Sequence, residues 1–191
     1  MAVQVQEELK KIVAPKFMVF RINAGQIKSD HWVYDPDEGG GRIIGEVCHF
    51  VDLARFFACA PITSIHSEAT SEGGIPCNNI VASISFADGS LATILYTSQG
   101  DDTQEKEKYE IFSAGKNIQI DDFRRLEISQ NGKISLIKKH QNKGFEFALN
   151  AYVQAILTQS DAPINETELI ETSLGTIAIL ESIKSGKRIT F

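Results

Sequence analysis

Gly39-Gly40-Gly41-Arg42-Ile43-Ile44-Gly45-Glu46-Val47-Cys48-His49-Phe50-Val51-Asp52 joins a triple-glycine loop to a run that is apolar nearly all round. A helix of that composition is a buried one. At about 100° per residue, Arg42, Gly45, Glu46, His49 and Asp52 share roughly one third of its circumference, because they recur at helical spacing. A buried helix with a base, an acid and an imidazole on one strip has two explanations. Either these groups are paired inside the core, or they line a pocket. The glycines permit positive φ and a close approach of backbone to another group. The first turn of a helix also offers unpaired N–H groups to a polar or anionic ligand. That makes Gly40 and Gly41 weak candidates for a cofactor contact, although a glycine run also simply makes a turn.

Outward from this stretch, the helix is predicted over about 42–58 and ends before Pro61. Upstream, Val5, Leu9, Ile12 and Val13 recur at helical spacing and predict an amphipathic helix over 3–13, stopped before Pro15. Phe17 to Ala24 reads as a strand ending at Gly25. A loop dense in polar and aromatic residues follows, Ser29-Asp30-His31-Trp32-Val33-Tyr34-Asp35-Pro36-Asp37-Glu38. Long loops of this kind are where function concentrates.

Downstream, strands are predicted near 62–70, 79–87, 90–98, 107–113, 117–121, 124–129 and 133–138. They are punctuated at Gly73-Gly74, Asp88-Gly89, Gly100-Asp101-Asp102, Gly115 and Asn131-Gly132. Asp-Gly and Asn-Gly between alternating runs are hairpin signals, and Val81-Ala82-Ser83-Ile84-Ser85-Phe86 alternates cleanly. The charged stretch from Asp101 to Glu107 reads as a solvated connection. Two helices close the chain. The first is marked by Phe145, Leu149, Tyr152, Val153 and Ile156, the second by Leu169, Leu174, Ile177, Ile179 and Ile183. Asn165 is positioned as an N-cap with Glu168 three residues on, as in a capping box, and Gly186 ends the second helix before a last short strand at 188–191. The fold class is α+β: an open, largely antiparallel sheet with helices packed on one face and the other face available.

With 191 residues, 42% hydrophobic and 23% charged, the chain has the composition of one soluble globular domain. A net charge of −6 argues against nucleic acid. No apolar run reaches the ~20 residues of a membrane span. Three cysteines, Cys48, Cys59 and Cys77, make an odd count without a Cys-x-x-Cys pair, which points to a reducing, cytoplasmic setting.

Neither Gly-x-Gly-x-x-Gly nor a P-loop occurs, so no familiar loop here binds a dinucleotide or a nucleoside triphosphate. A Gly-x-Ser-x-Gly elbow is also absent. Cys48 lies about 100° round the helix from His49 and reads as a structural thiol. Glu46 and His49 form a single Glu-x-x-His pair; di-iron chemistry needs a second copy and further glutamates, so no metal is expected. The pair is better suited to proton transfer, since a nearby carboxylate raises the basicity of an imidazole.

In its order of elements, the chain resembles the C-terminal domain of the glucose-fructose oxidoreductase / inositol dehydrogenase / MocA family. The residues that carry the resemblance are the Trp32 loop, Asp35-Pro36, Gly39-Gly40-Gly41, and a helix with His49 followed three residues later by Asp52. It continues through Glu107 to Lys116, Ile120-Asp121-Asp122-Phe123, Lys143-Gly144-Phe145 and Pro163-Ile164.

The resemblance implies a two-domain oxidoreductase using NAD or NADP on a sugar, sugar nucleotide or polyol. Residues 1–191 then form a single C-terminal domain for substrate binding and oligomerisation, with the Rossmann domain and its catalytic lysine outside it. His49 matches the family's proton-transfer residue, with Glu46 beside it. Asp30, His31, Trp32, Arg42 and Asp52 lie near positions that face substrate. The implied partners are the Rossmann domain, a sugar-type small molecule and a second copy of the chain through the sheet. No cofactor is expected to bind this chain alone. One departure concerns the site, because the family places Asp four residues before the histidine and here that residue is Gly45. The alternative reading is a non-catalytic module for sheet-mediated oligomerisation or sugar binding.

Overall fold

Strand β1 (Phe17–Asn23) is the axis of the sheet, pairing parallel with β4 (Leu91–Thr97) on one side and antiparallel with β5 (Glu107–Ser113) on the other. Around it run β2 (Ile62–Ala69), β3 (Ile80–Phe86), β6 (Lys116–Asp121), β7 (Arg125–Gln130), β8 (Lys133–Lys138) and β9 (Ile189–Thr190), giving the nine-stranded order β8-β7-β6-β5-β1-β4-β3-β2-β9. All ladders but β1–β4 are antiparallel. The computed structural model describes residues 1–28, 30–35, 37–70 and 78–191. Ser29, Pro36, the Gly73-Gly74 punctuation and Cys77 lie outside the described residues.

Alternation decides which way each strand faces. Met18, Phe20 and Ile22 point to the core from β1, and Ala92, Ile94 and Tyr96 do so from β4. The register puts Phe20 opposite both Ile94 and Tyr109, and its ring meets Tyr109 edge-on at 4.8 Å and Phe57 at 6.2 Å. The other face is open, with Phe112, Phe17 and Leu91 in one cross-strand row, each substantially exposed. Asn131 and Gly132 both take positive φ (53° and 71°), which the tight turn between β7 and β8 requires.

Helices cover the core face. In α1 (Ala2–Lys10), Val5 and Leu9 are buried, and the helix packs on α2 (Cys48–Ala58). It stops short of the expected end at 13, leaving Val13 in solvent. The central helix also differs from a uniform α-helix over 42–58. Residues Ile43–Val47 form a π turn in which the Cys48 N–H reaches back to the Ile43 carbonyl, and α2 proper begins at Cys48.

Helix α4 (Glu166–Ser185) lies against β2 and α2. A Cβ on Gly175 would meet Val51 and Ile62 side chains at 3.2 Å, so the absence of one lets the helix sit close. Asn165 caps the helix as expected, accepting from the Thr167 N–H at 2.8 Å. The reciprocal half of the capping box is not made. Glu168 instead accepts from Arg55 at 2.9 Å, because a guanidinium offers a carboxylate a stronger partner than a neutral amide. Helix α3 (Phe145–Thr158) buries only Ala155. Among the described residues no helix is long and apolar enough to cross a membrane.

Candidate active site

The polar strip of the central helix is divided by burial. Arg42 is only 1% exposed. Its Nη1 donates to the Gly25 carbonyl at 2.7 Å and its Nη2 to the Ala24 carbonyl at 3.3 Å. Its Nε donates to Glu46 at 3.1 Å, and the guanidinium lies over the Tyr96 ring, 5.3 Å from the centroid. Arg42 therefore ties the end of β1 to the first turn of the helix, and it reaches the site only through Glu46.

Glu46 is half-buried between two cations, Arg42 at 3.0 Å and Lys106 at 3.4 Å. Burial alone would raise its pKa; the charges of Arg42 and Lys106 outweigh that and hold the carboxylate below its usual range. Burial also drives up the Tyr96 hydroxyl, reinforced by the Glu46 charge.

His49 is exposed. Its Nδ1 lies 3.0 Å from the Glu46 backbone carbonyl. A carbonyl only accepts, so Nδ1 carries the proton and the neutral ring keeps its lone pair on Nε2. The contact to Glu46 is thus through backbone, whereas the sequence suggested one through the carboxylate. Cys48 Sγ lies 3.6 Å from the same nitrogen, nearer than the expected 100° offset suggested. Burial pushes its thiol pKa up, which favours the protonated, less nucleophilic form. Asp52, one turn on, accepts from Thr172 Oγ1 at 3.2 Å. Its pKa is raised by burial, with the Glu168 charge adding to it, while the Thr172 hydrogen bond and the charges of His49 and Arg55 work against the shift.

The loop before the helix folds over it. Trp32–Tyr34 forms a 3₁₀ turn capped by His31, whose Nδ1 accepts from the Val33 N–H at 3.2 Å. The His31 and Trp32 rings lie 5.7 Å apart, tilted by 33°, and Trp32 stays 61% exposed. Asp30 is exposed beside them. Val33 is buried, and a Cβ on Gly45 would sit 3.3 Å from its Cγ2. A Cβ on Gly39 would run into the Trp32 and Val33 carbonyl oxygens. The glycines thus let the aromatic loop rest on the helix. Gly40 and Gly41 do take positive φ (64° and 84°). However, the Gly39 and Gly40 N–H groups both donate to the Asp35 carbonyl, at 2.9 and 3.1 Å. The loop is therefore a turn in which the Gly40 amide is already bonded.

The structure also brings in residues that sequence reading missed. Lys106 and Glu107 sit in the stretch taken as solvated, yet Glu107 is buried and accepts from Tyr109 and Lys143, both at 2.7 Å. The available signal was alternation: Glu107, Tyr109 and Ile111 share the core-facing side of β5. Among the described residues, no group of three or more His, Cys, Asp or Glu side chains is gathered as a metal ion would require.

A model of the GFO/IDH/MocA C-terminal domain matches residues 13–117, and the chain belongs to that family. No curated protein sequence matches it. Among solved structures it is similar to an aldose-aldose oxidoreductase from Caulobacter crescentus complexed with glycerol, at 11% identity and a TM-score of 0.85, covering 100% of this chain and 60% of that one. It is also similar to a UDP-N-acetylglucosamine 3-dehydrogenase from Acidithiobacillus ferrooxidans, at 12% identity and a TM-score of 0.77, covering 96% and 58%. A third is an oxidoreductase from Agrobacterium radiobacter in complex with NAD+, L-tartaric acid and magnesium, at 10% identity and a TM-score of 0.74, covering 99% and 61%. At these identities the likeness is one of fold. The chain spans about three fifths of the length of these structures.

Proposed function

We propose that residues 1–191 are the single C-terminal domain of an NAD(P)-dependent oxidoreductase acting on a sugar-type hydroxyl or carbonyl, with His49 as its acid–base residue. The observation that carries this reading is the Nδ1–H bond from His49 to the Glu46 carbonyl, which leaves Nε2 as the proton-accepting atom on an exposed ring. A nicotinamide held by a Rossmann partner domain would supply the hydride chemistry, accepting the hydride in oxidation and donating it in reduction. In the oxidative direction Nε2 removes the hydroxyl proton as the carbon gives up its hydride and the C=O bond forms. In reduction, the imidazolium returns that proton to the nascent alkoxide.

Glu46, fixed by Arg42 and Lys106, holds the carbonyl that orients the ring and so acts as a positioning residue. Asp30, the His31–Trp32 pair and Asp52 are assigned to the substrate wall; an exposed aromatic face suits the apolar side of a sugar ring. Arg42 supports that wall from inside. The open face, with Phe17, Leu91 and Phe112 in one row, is the surface for pairing with a second copy in the cytoplasm.

The chain alone is not expected to hold NAD or NADP; two amides of its glycine loop, those of Gly39 and Gly40, are engaged with the Asp35 carbonyl. NADH titrated into it should show no saturable binding below millimolar concentration; micromolar affinity would overturn this. In the longer oxidoreductase, His49→Ala should lower kcat by about 10²-fold or more with the oligomer intact, the usual contribution of an acid–base group. Unchanged turnover would remove His49 from the reaction and leave an assembly or sugar-binding module.

A further inference from the structure

The 3₁₀ turn Trp32–Tyr34 sends its three side chains to three environments. Trp32 is in solvent, Val33 is buried against Gly45 of the central helix, and Tyr34 is half-buried. The Tyr34 hydroxyl meets Asn78, whose Nδ2 donates to it at 2.8 Å. Asn78 stands just before β3, two residues from Ile80, which the register sets opposite Tyr96. Tyr96 in turn lies under the Arg42 guanidinium. The Tyr34–Asn78 pair thus joins the aromatic loop to the strand ends beside the Arg42–Glu46 cluster, and Val33, next to Tyr34, packs one helical turn before His49.

The hydrogen bonding of this pair is incomplete. Asn78 is only 8% exposed, and its Oδ1 has no partner among the described residues. Rotating the amide by 180° would bring Oδ1 to the Tyr34 hydroxyl and strand Nδ2 instead, so either orientation leaves one buried polar atom unpaired. Buried amides are ordinarily satisfied on both atoms. Tyr34 also keeps unused capacity. With Nδ2 donating to it, its O–H still needs an acceptor; with the amide reversed, its oxygen can still accept.

An alcohol both donates and accepts, so it completes either arrangement. A phosphate or carboxylate only accepts, and Arg42 and Lys106 are already paired with Glu46, which leaves neither of them to hold an anion. We propose that Tyr34, held in place by Asn78, recognises a second hydroxyl of an uncharged polyhydroxy substrate while His49 acts on the reacting one. This rests on the function proposed above. A site built to bond a hydroxyl rejects the analogue that lacks it, because its own buried polar groups are then left unpaired. Trp32, exposed two residues earlier, offers a flat apolar face to the C–H side of the same ring.

The test titrates D-glucose and myo-inositol into the 191-residue chain carrying ¹³C-labelled tyrosine. The Tyr34 Cζ signal, assigned by its loss in Tyr34→Phe, should shift saturably with at least one of them. Tyr34→Phe should weaken that binding by about tenfold, the factor one neutral hydrogen bond carries. One member of a deoxy series of the bound polyol should bind the parent chain about tenfold more weakly, yet bind Tyr34→Phe as well as the full polyol does. A Tyr34 signal unmoved by both polyols overturns the proposal and assigns the spare capacity to a bound water only. Losses that add for every deoxy analogue overturn it as well. In the longer oxidoreductase, Tyr34→Phe should raise KM about tenfold with kcat nearly unchanged, the mark of binding made equally in ground and transition states. Turnover with KM unchanged in Tyr34→Phe sinks only the role of Tyr34. A saturable Tyr34 shift in a protein without NAD(P)-dependent turnover keeps the hydroxyl site and sinks only the oxidoreductase reading.

Discussion

His49 Nδ1 lies 3.0 Å from the backbone carbonyl of Glu46, so the ring is oriented by the main chain of its own helix. The neutral imidazole is therefore expected as the Nδ1–H tautomer. Long-range ¹H–¹⁵N correlation at a pH where the ring is neutral should place the proton on Nδ1; a spectrum placing it on Nε2 would remove the proton-accepting atom from the proposed site. Because the acceptor is backbone, Glu46→Gln should leave the tautomer unchanged, which a bond to the carboxylate would not allow.

Arg42 is the most deeply buried charge at the site and serves four partners. Removing one side of such a cluster leaves unpaired carbonyls and a half-buried carboxylate. Arg42→Ala should cost about 2–4 kcal/mol in urea unfolding, and Arg42→Lys should recover little, because a point charge cannot serve Glu46 and two carbonyls together. A loss below about 1 kcal/mol would mean that the guanidinium is dispensable to the fold.

Gly45 stands where the family resemblance places an aspartate, and Val33 borders it. A Cβ at 45 would sit 3.3 Å from Val33 Cγ2, so Val33 has to give by a few tenths of an ångström to admit one. Gly45→Asp should destabilise the chain by about 1–2 kcal/mol, in the range of overpacking. Val33→Ala in the same chain should recover part of that loss, whereas additive losses would show that the two residues do not compete for space.

These positions also mark how far the sequence could be read. All the strands, the closing helices and the Asn165 cap were legible because alternation, helical periodicity and turn dipeptides are local signals. The π turn at Ile43–Val47 has no such signature. The burial of Glu107 depended on Lys143, 36 residues away, which no local pattern reports. Helix α3 was legible as an amphipathic helix, but periodicity identifies an apolar stripe without identifying what covers it.

Two carboxylates on the central helix should pull stability in opposite directions with pH. Glu46 is held below its usual value of 4.5 by Arg42 and Lys106 against the effect of burial. Its contribution is complete above that value and is lost as pH falls through the lower folded-state pKa. Glu8, held down to about 2 by hydrogen bonds from Lys11 and Lys116, acts in the same direction and window. Asp52 is the reverse case. Burial lifts it above 3.8, so its contribution is complete below that value and is lost as pH rises through the folded-state pKa. Asp52→Asn should therefore raise the Tm at pH 7 by about 1–3 °C, with the gain vanishing toward pH 3.5. Glu46→Gln should lower the Tm at pH 7 and narrow its deficit as the pH falls below 4.5. Melting curves of both variants and the parent from pH 3 to 8 test the pair. An Asp52→Asn protein less stable than the parent at neutral pH would show that the Thr172 hydrogen bond and the nearby cations outweigh burial.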